Sequence, residues 1–222
     1  MNPDLPNEAA NAGSFRRRRV AILLFDDVEV LDFAGPFEVF GVAETSSGEP
    51  AFEVVTVALH PGQIVARNGL RIVPSCTASE LRDADILVVP GGVGSRRELH
   101  NPAMLDFIRA ASGAAALTLS VCTGSLLLGA AGLLKGRSAT THYSAMDALR
   151  ALGSGAAILP DSRIVDNGAL ITSAGVSAGI DAALYVVSRF VGDGQAQAAA
   201  RYMQYDWRCR CGDGVSVVRA GA

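Results

Sequence analysis

The stretch Ala116-Leu-Thr-Leu-Ser-Val-Cys122-Thr-Gly-Ser-Leu-Leu-Leu-Gly-Ala-Ala131 carries the strongest structural signal in this chain. An apolar run typical of a buried strand continues directly into a helical pattern, and Cys122 stands at the junction. Such a junction residue sits in a tight, often strained turn above the carboxyl edge of a sheet. The free amides and dipole of the helix start favour a thiolate there. We therefore predict a nucleophile elbow at Cys122, the alternative being a small buried apolar residue.

Apolar strand patterns alternate with helical patterns along the rest of the chain. Strands are predicted at 20–25, 52–59, 86–89 and 116–121, and helices at 35–44, from 102 onward, and at 124–131, 144–152, 178–190 and 195–203. A hairpin-like pair is predicted around Asp166-Asn-Gly168. Continuously apolar strands imply burial on both faces, so the sequence predicts an open, mostly parallel sheet sandwiched between helices.

Composition indicates one enzyme-sized domain. Half of the 222 residues are hydrophobic and the formal net charge is −3, so the chain can bury a sizeable core and shows no bias towards nucleic acid. No apolar run approaches the roughly 20 residues of a membrane span, and no secretion signal is evident. We expect a cytoplasmic protein with no membrane partner. The expected organisation is a flexible leader (1–19) with a basic end, one α/β domain (20–206) and a C-terminal tail (207–222).

The four cysteines do not suggest a disulfide framework, because they are few and irregularly spaced: Cys76, Cys122, Cys209 and Cys211. Cys209 and Cys211 give only a weak metal signal, since a zinc site needs four ligands and no paired Cys or His motif accompanies them. We predict no metal site.

Three distant segments are expected to converge at the carboxyl edge of the sheet. They are Asp26-Asp-Val-Glu-Val-Leu-Asp32, Pro90-Gly91-Gly92 and Val121-Cys122-Thr123. The glycines let backbone N–H groups approach a substrate, and with the Thr123 amide they would form an oxyanion-type hole. The alternative for Pro90-Gly91-Gly92 is an ordinary turn that ends a strand.

A family resemblance rests on three motifs: Leu31-Asp32-Phe-Ala-Gly35-Pro36-Phe-Glu-Val, Val89-Pro90-Gly91-Gly92, and the long block from Val121-Cys-Thr-Gly-Ser-Leu-Leu-Leu-Gly to Ser138-Ala-Thr-Thr-His142. They resemble the ThiJ/PfpI family of the class I glutamine amidotransferase-like superfamily, and within it the isonitrile-hydrating members. The resemblance extends from Val20 to about Asp206. It implies a flavodoxin-like fold, a small-molecule substrate and a homodimer.

The resemblance also implies a reaction. Cys122 would be the nucleophile, with Asp32 beside it and Thr123 assisting through its hydroxyl, which would bond the sulfur or the carboxylate. The thiolate would add to an isonitrile, and water would release an N-substituted formamide without any cofactor. An Asp32 buried beside a thiolate would have a raised pKa and could donate a proton and then act as a base. The alternatives are that Asp32 caps the following helix and that Thr123 is an ordinary residue of the first helical turn.

His142 leaves other functions open. In a glyoxalase or deglycase-like enzyme acting on reactive carbonyls, His142 would serve as the base, whereas in an isonitrile hydratase it would be secondary or structural. A ligand-sensing role is a further alternative, because the domain resembles the amidotransferase-like halves of AraC-type regulators. A redox-sensing role also stays open, since a low-pKa exposed thiol oxidises readily.

Overall fold

A central eight-stranded sheet organises the computed structural model, which describes residues 16–207 and 217–219. The strands are β1 (Arg18–Leu23), β2 (Phe52–Ala58), β3 (Ile64–Val65), β4 (Arg71–Ile72), β5 (Cys76–Thr77), β6 (Ile86–Val89), β7 (Leu117–Ser120), β8 (Ser138–Ala139), β9 (Ala157–Ile158), β10 (Ile164–Asp166), β11 (Leu170–Ser173) and β12 (Val217–Arg219). The sheet order is β12-β10-β11-β7-β6-β1-β2-β5, and every neighbouring pair is parallel except β10 with β11. Two small ribbons, β3 with β4 and β8 with β9, stand outside it.

The helices form two packing groups around this sheet. They are α1 (Val30–Val42), α2 (Ser95–Glu98), α3 (Pro102–Ala114), α4 (Gly124–Ala130), α5 (Met146–Ala151), α6 (Ala178–Phe190) and α7 (Asp193–Tyr202). Helices α1, α6 and α7 contact one another, and α4 contacts α2, α3 and α5. Strands β6, β7 and β11 are buried along their whole length, as strands covered on both faces must be. The predicted flavodoxin-like sandwich is confirmed. Within the described ranges, no helix is long and apolar enough to span a bilayer.

Local sequence signals explain two of the predicted elements. The side chain of Asn101 accepts hydrogen bonds from the amides of Ala103 and Met104, and Pro102 occupies the first position of α3. At the turn between β10 and β11, the Asp166 carboxylate accepts a bond from the Gly168 amide at 2.8 Å. The predicted capped helix and the predicted antiparallel hairpin are both confirmed.

Other boundaries differ from the sequence prediction. Helix α1 begins at Val30 rather than at residue 35, so Pro36 lies inside it and Asp32 in its first turn. Proline is typical of first helical turns, which explains the misplaced start. At the domain limits, β1 includes Arg18 and Arg19, which the predicted leader contained. Trp207 is buried and β12 joins the sheet, so parts of the predicted tail belong to the domain.

The strand order creates a crevice at the carboxyl edge. From β1 the chain passes through α1 to β2 on one side, whereas from β6 it passes to β7 on the other. The carboxyl ends of β1 and β6 therefore flank a topological switch point, which is where open α/β sheets bind ligands. The segments that follow β1, β6 and β7 carry the predicted site residues.

Candidate active site

Cys122 occupies a strained junction between β7 and α4. Its φ angle is +58°, a left-handed conformation that is unfavourable for a residue with a Cβ, and 6% of its surface is exposed. Its amide donates to the Ala174 carbonyl at 3.1 Å. Its carbonyl accepts bonds from the hydroxyls of Thr141 at 3.0 Å and Ser125 at 3.2 Å. These three bonds hold the elbow that the sequence predicts.

The Asp32 carboxyl group lies against the Cys122 thiol and is fully buried. Its Oδ2 accepts a hydrogen bond from the Gly91 amide at 3.0 Å. Its Oδ1 accepts no well-formed hydrogen bond from residues 16–207 and 217–219. The Cys122 thiol and the Val176 amide are close enough to affect the pKa of the carboxyl group. The expectation that Asp32 lies beside Cys122 is met. The capping alternative is wrong, since Glu29 is the cap residue of α1 and makes no side-chain capping bond.

Burial raises the pKa of both groups. The pKa of Asp32 rises to about 7, chiefly by desolvation and also through the charge of Glu29, against the opposing bonds from the Gly91 amide and the thiol. The pKa of Cys122 rises to about 12, first by desolvation and then through the Asp32 charge. The amides of Thr123 and Val176 act in the lowering direction. Burial therefore acts against the thiolate that the sequence predicts, and the helix-start amides act in its favour.

The Thr123 hydroxyl bonds to the glycine loop, Pro90-Gly91-Gly92. It accepts a bond from the Gly92 amide at 2.9 Å and donates to the Gly92 carbonyl at 3.1 Å. It also accepts from the Ser95 hydroxyl at 3.0 Å. The predicted bond from this hydroxyl to the sulfur or the carboxylate is absent from the described contacts, and Thr123 reaches the thiol through its backbone amide instead. Thr123 thus positions the loop behind the site.

The amides of Gly91 and Gly92 are already bonded, to Asp32 and to Thr123. These amides are thus engaged in the free structure, and the oxyanion-type hole stays a prediction. Both glycines are nevertheless needed for close approach, since a Cβ at Gly91 would lie 2.4 Å from the Thr123 nitrogen. A Cβ at Gly92 would lie 2.4 Å from the Asp27 carbonyl oxygen. The loop is more than an ordinary turn, because it carries an amide to the Asp32 carboxylate.

Val176 is the site residue that the sequence did not reveal. It follows β11, the parallel neighbour of β7, and its amide interacts with both the Cys122 thiol and the Asp32 carboxyl. Its φ is +50°, a genuine outlier for a β-branched residue. A valine in this conformation has no sequence signal, although the small-residue run after β11 marks a strand end at the same edge. The amides of Thr123 and Val176 are the donors that face the sulfur.

His142 lies at the rim and is bonded away from the thiol. Its Nδ1 accepts from the Ser144 amide at 3.3 Å and lies 2.8 Å from the Ser144 hydroxyl, so the ring caps the short turn that follows. The ring packs on Gly175, where a Cβ would come within 2.1 Å of the imidazole Cδ2. In the described chain no hydrogen bond joins His142 to Cys122 or Asp32. His142 lines the cavity without touching the thiol pair.

A cavity of about 360 Å³ opens over these groups. Of the residues that line it, Cys122 and Thr123 are buried, Glu29, His142 and Val176 are half-buried, and Arg67 and Arg96 are exposed; the buried side is its floor and the exposed side its mouth. Within residues 16–207 and 217–219, no group of three or more His, Cys, Asp or Glu residues could hold a metal ion. Cys209 and Cys211, the weak metal candidates, lie outside the described residues.

Comparisons with known proteins agree with this architecture. A family model described as the DJ-1/PfpI family matches residues 18–189. Isonitrile hydratase of Pseudomonas putida is 37% identical over 187 residues, covering 84% of this chain and 78% of that protein. A crystal structure of a ThiJ/PfpI family protein from Pseudomonas syringae superposes with a TM-score of 0.78 and 33% identity, covering 96% of this chain and 85% of the other.

A less similar relative is much longer than this chain. The HTH-type transcriptional regulator GbdR of Pseudomonas aeruginosa is 26% identical over 92% of this chain and 54% of the regulator, so the chain spans about half the length of that relative. The family match covers most of the sheet, the elbow and the glycine loop. The chain belongs to the DJ-1/PfpI family.

Proposed function

We propose that this protein hydrates isonitriles to N-substituted formamides through a covalent thioimidate on Cys122. The observation that carries the proposal is the fully buried Asp32 carboxyl, with a pKa raised to about 7, in contact with the Cys122 thiol beneath the cavity. A group that titrates near neutral pH can both give and take a proton during one turnover. Similarity to the Pseudomonas putida isonitrile hydratase supports the same activity.

The first step adds the thiol across the terminal carbon of the isonitrile. With both pKa values raised, the thiol and carboxyl pair retains at least one proton at neutral pH. As the sulfur–carbon bond forms, the thiol proton passes through the Asp32 carboxylate to the same carbon. The product is a neutral thioimidate, S–CH=N–R, and a carboxylate. No leaving group is ejected, so the enzyme gains the whole mass of the isonitrile.

The second step brings in water. The Asp32 carboxylate removes a proton from a water molecule, the oxygen attacks the thioimidate carbon, and the proton held by Asp32 passes to the imine nitrogen. The tetrahedral intermediate then breaks its carbon–sulfur bond, and the hydroxyl proton returns to the departing sulfur. The products are the formamide and the original thiol and carboxylate pair.

The backbone around the pair supports these steps. Negative charge develops on the sulfur as it gains and loses its bond to carbon, and the amides of Thr123 and Val176 lower the pKa of that sulfur. The Gly91 amide holds Asp32 Oδ2, so Asp32 keeps Oδ1 for the proton transfers. Thr123 and Ser95 hold the glycine loop in place.

A glyoxalase-like reaction has weaker support. It needs His142 as the base, yet Nδ1 of His142 is engaged by Ser144 and the ring makes no hydrogen bond to Cys122 or Asp32 in the described structure. The carboxyl group in direct contact with the thiol is that of Asp32. The proton chemistry therefore favours the reaction in which a carboxyl group serves the sulfur.

The test is a substrate panel combined with intact-protein mass spectrometry. Aryl and alkyl isonitriles should yield the matching formamides, identified by NMR. Rapidly quenched wild-type protein should carry an adduct on Cys122 equal to the whole isonitrile mass. Conversion of methylglyoxal to lactate, with no formamide from any isonitrile, would overturn the proposal and favour the glyoxalase-like reaction.

A further inference from the structure

Two guanidinium groups line the mouth of the Cys122 cavity, and they differ in their partners. Arg67, on the turn between β3 and β4, forms an ion pair with Glu29 at 3.1 Å, so the two charges offset each other. Arg96, on α2, is exposed, and its side chain makes no hydrogen bond or ion pair with the residues that the structure describes. Arg96 is therefore the unneutralised cation of the cavity mouth.

The next residue along the chain, Arg97, differs from Arg96 because its guanidinium group is fully partnered. Arg97 follows directly on α2, pairs with Asp27 at 3.2 Å and with Glu98 at 2.9 Å, and donates to the Asp26 carbonyl at 2.8 Å. It lines a different cavity, together with Asp26 and Glu98. Arg97 thus stabilises the fold, whereas Arg96 leaves its donors free over the thiol site.

The other charge near the cavity belongs to a buried group. Cys122 lines the cavity, and the fully buried Asp32 lies behind it against the thiol, so negative charge on Asp32 is on the buried side, whereas Arg96 is exposed. A substrate with an anionic tail would be repelled from the floor and attracted to the mouth. Its uncharged isonitrile carbon would then point at the sulfur. The charge pattern both selects and orients such a molecule.

We infer that Arg96 is a specificity-determining residue and that the preferred substrates are isonitriles carrying a carboxylate at the end opposite the isonitrile group. This rests on the proposed function. The carboxylate would accept hydrogen bonds from the Arg96 guanidinium, whose planar donor fork matches a carboxylate. The isonitrile carbon would lie at Cys122, and the part of the molecule in between would span the cavity of about 360 Å³.

The experiment uses a series of ω-isocyano carboxylates of increasing chain length, each compared with its methyl ester. For wild type, one chain length should give a kcat/KM about threefold to tenfold higher for the acid than for the ester, the scale of a partly exposed charge pair. The preference should shrink as sodium chloride is raised. Arg96→Gln should bring the acid-to-ester ratio of kcat/KM close to one, mainly by raising the KM of the acids. Arg97→Gln, the control with the same loss of charge, should keep it.

Equal kcat/KM values for acids and esters in wild type would overturn the inference, as would an acid preference that survives Arg96→Gln. Failure of the proposed function gives a different result, namely no formamide from either series. In that case, isothermal titration calorimetry still tests whether Arg96 binds a carboxylate. The ligands are the ω-formamido carboxylates, which are the hydration products of the ω-isocyano carboxylates. Binding of the acids that is lost in Arg96→Gln and retained in Arg97→Gln supports the carboxylate site, and no difference between the variants contradicts it.

Discussion

Two cavities lie at the carboxyl edge of this sheet, and only one has the features of an active site. The second, of about 270 Å³, is lined by Asp26, His60, Arg97 and Glu98 among others. There the Asp26 carboxylate accepts a bond from the Val65 amide at 2.8 Å, and Glu98 is bonded by Arg97 and Asn101. At the first cavity, the lining residue Cys122 has a strained backbone, and Asp32 lies buried behind its thiol with Oδ1 unbonded among the described residues. A position at the end of a strand is therefore not enough for an active site. The distinguishing feature is a carboxyl group that is left partly unbonded next to a nucleophile.

The sharpest test of this contrast removes one group from each cavity. Cys122→Ala should abolish formamide production, with a loss of at least about 10³-fold, because no other group can form the covalent intermediate. His60→Asn, at the second cavity, should change kcat/KM by less than about twofold. Steady-state kinetics on an aryl isonitrile measures both. Residual turnover in Cys122→Ala near the wild-type rate would remove the distinction between the two cavities.

The glycine loop belongs to the first cavity alone, and one added methyl group tests it. Gly91→Ala places a Cβ 2.4 Å from the Thr123 nitrogen, so the loop must move and withdraw its amide from Asp32. We expect a loss of about 2–4 kcal/mol in unfolding free energy, as for overpacked and strained sites, with reduced turnover.

The matched control is Gly113→Ala on α3, where the new Cβ meets open space. That variant should gain up to about 1 kcal/mol in urea denaturation, since alanine is the better helix former. If Gly91→Ala is as stable and as active as Gly113→Ala, the close approach of the glycine loop to Thr123 matters neither for stability nor for turnover.

The raised pKa of Asp32 predicts a pH dependence of stability. Its pKa is 3.8 in an ordinary setting and about 7 in the fold, so the folded state binds the proton more tightly than the unfolded state. This group therefore stabilises the fold fully at low pH, and its contribution is lost as pH rises through about 7. The slope is at most about 1.4 kcal/mol per pH unit.

Asp32→Asn should flatten this slope in urea denaturation and make the protein more stable than wild type above neutral pH. Asp147→Asn changes a carboxylate whose side chain is 99% exposed, and it should retain the wild-type slope. If the unfolding free energies of wild type and Asp32→Asn change in parallel with pH, burial does not raise the pKa of Asp32 to near 7.

Much of this organisation could be predicted from the sequence. Hydrophobic periodicity locates the long elements, and the strand-to-helix junction identifies Cys122. The short strands β3, β4, β5, β8, β9 and β12 were missed, because two or three residues carry no period. The predicted start of the helix that carries Asp32, residue 35, lies five residues after the observed start at Val30, because α1 holds Pro36 in its interior, where proline is unusual.

The finer geometry of the site depends on contacts between distant segments. The Thr123 hydroxyl and the glycine amides bond within the loop, and only the folded arrangement shows that they are occupied. Val176 adopts its positive φ because the segment after β11 is held against the elbow, and nothing in its own sequence indicates that. The direction of the thiol pKa depends on burial, which outweighed the local effect of the helix start.

The most direct test of the central claim, that Asp32 and not His142 moves the protons for Cys122, is the formamide rate of two variants. Asp32→Asn keeps the shape and the acceptor for the Gly91 amide but cannot exchange protons, and it should lower kcat/KM by at least about 100-fold, the scale of a lost general acid and base. His142→Asn should cost much less, within about fivefold. An Asp32→Asn variant that stays active while His142→Asn is dead would contradict the account.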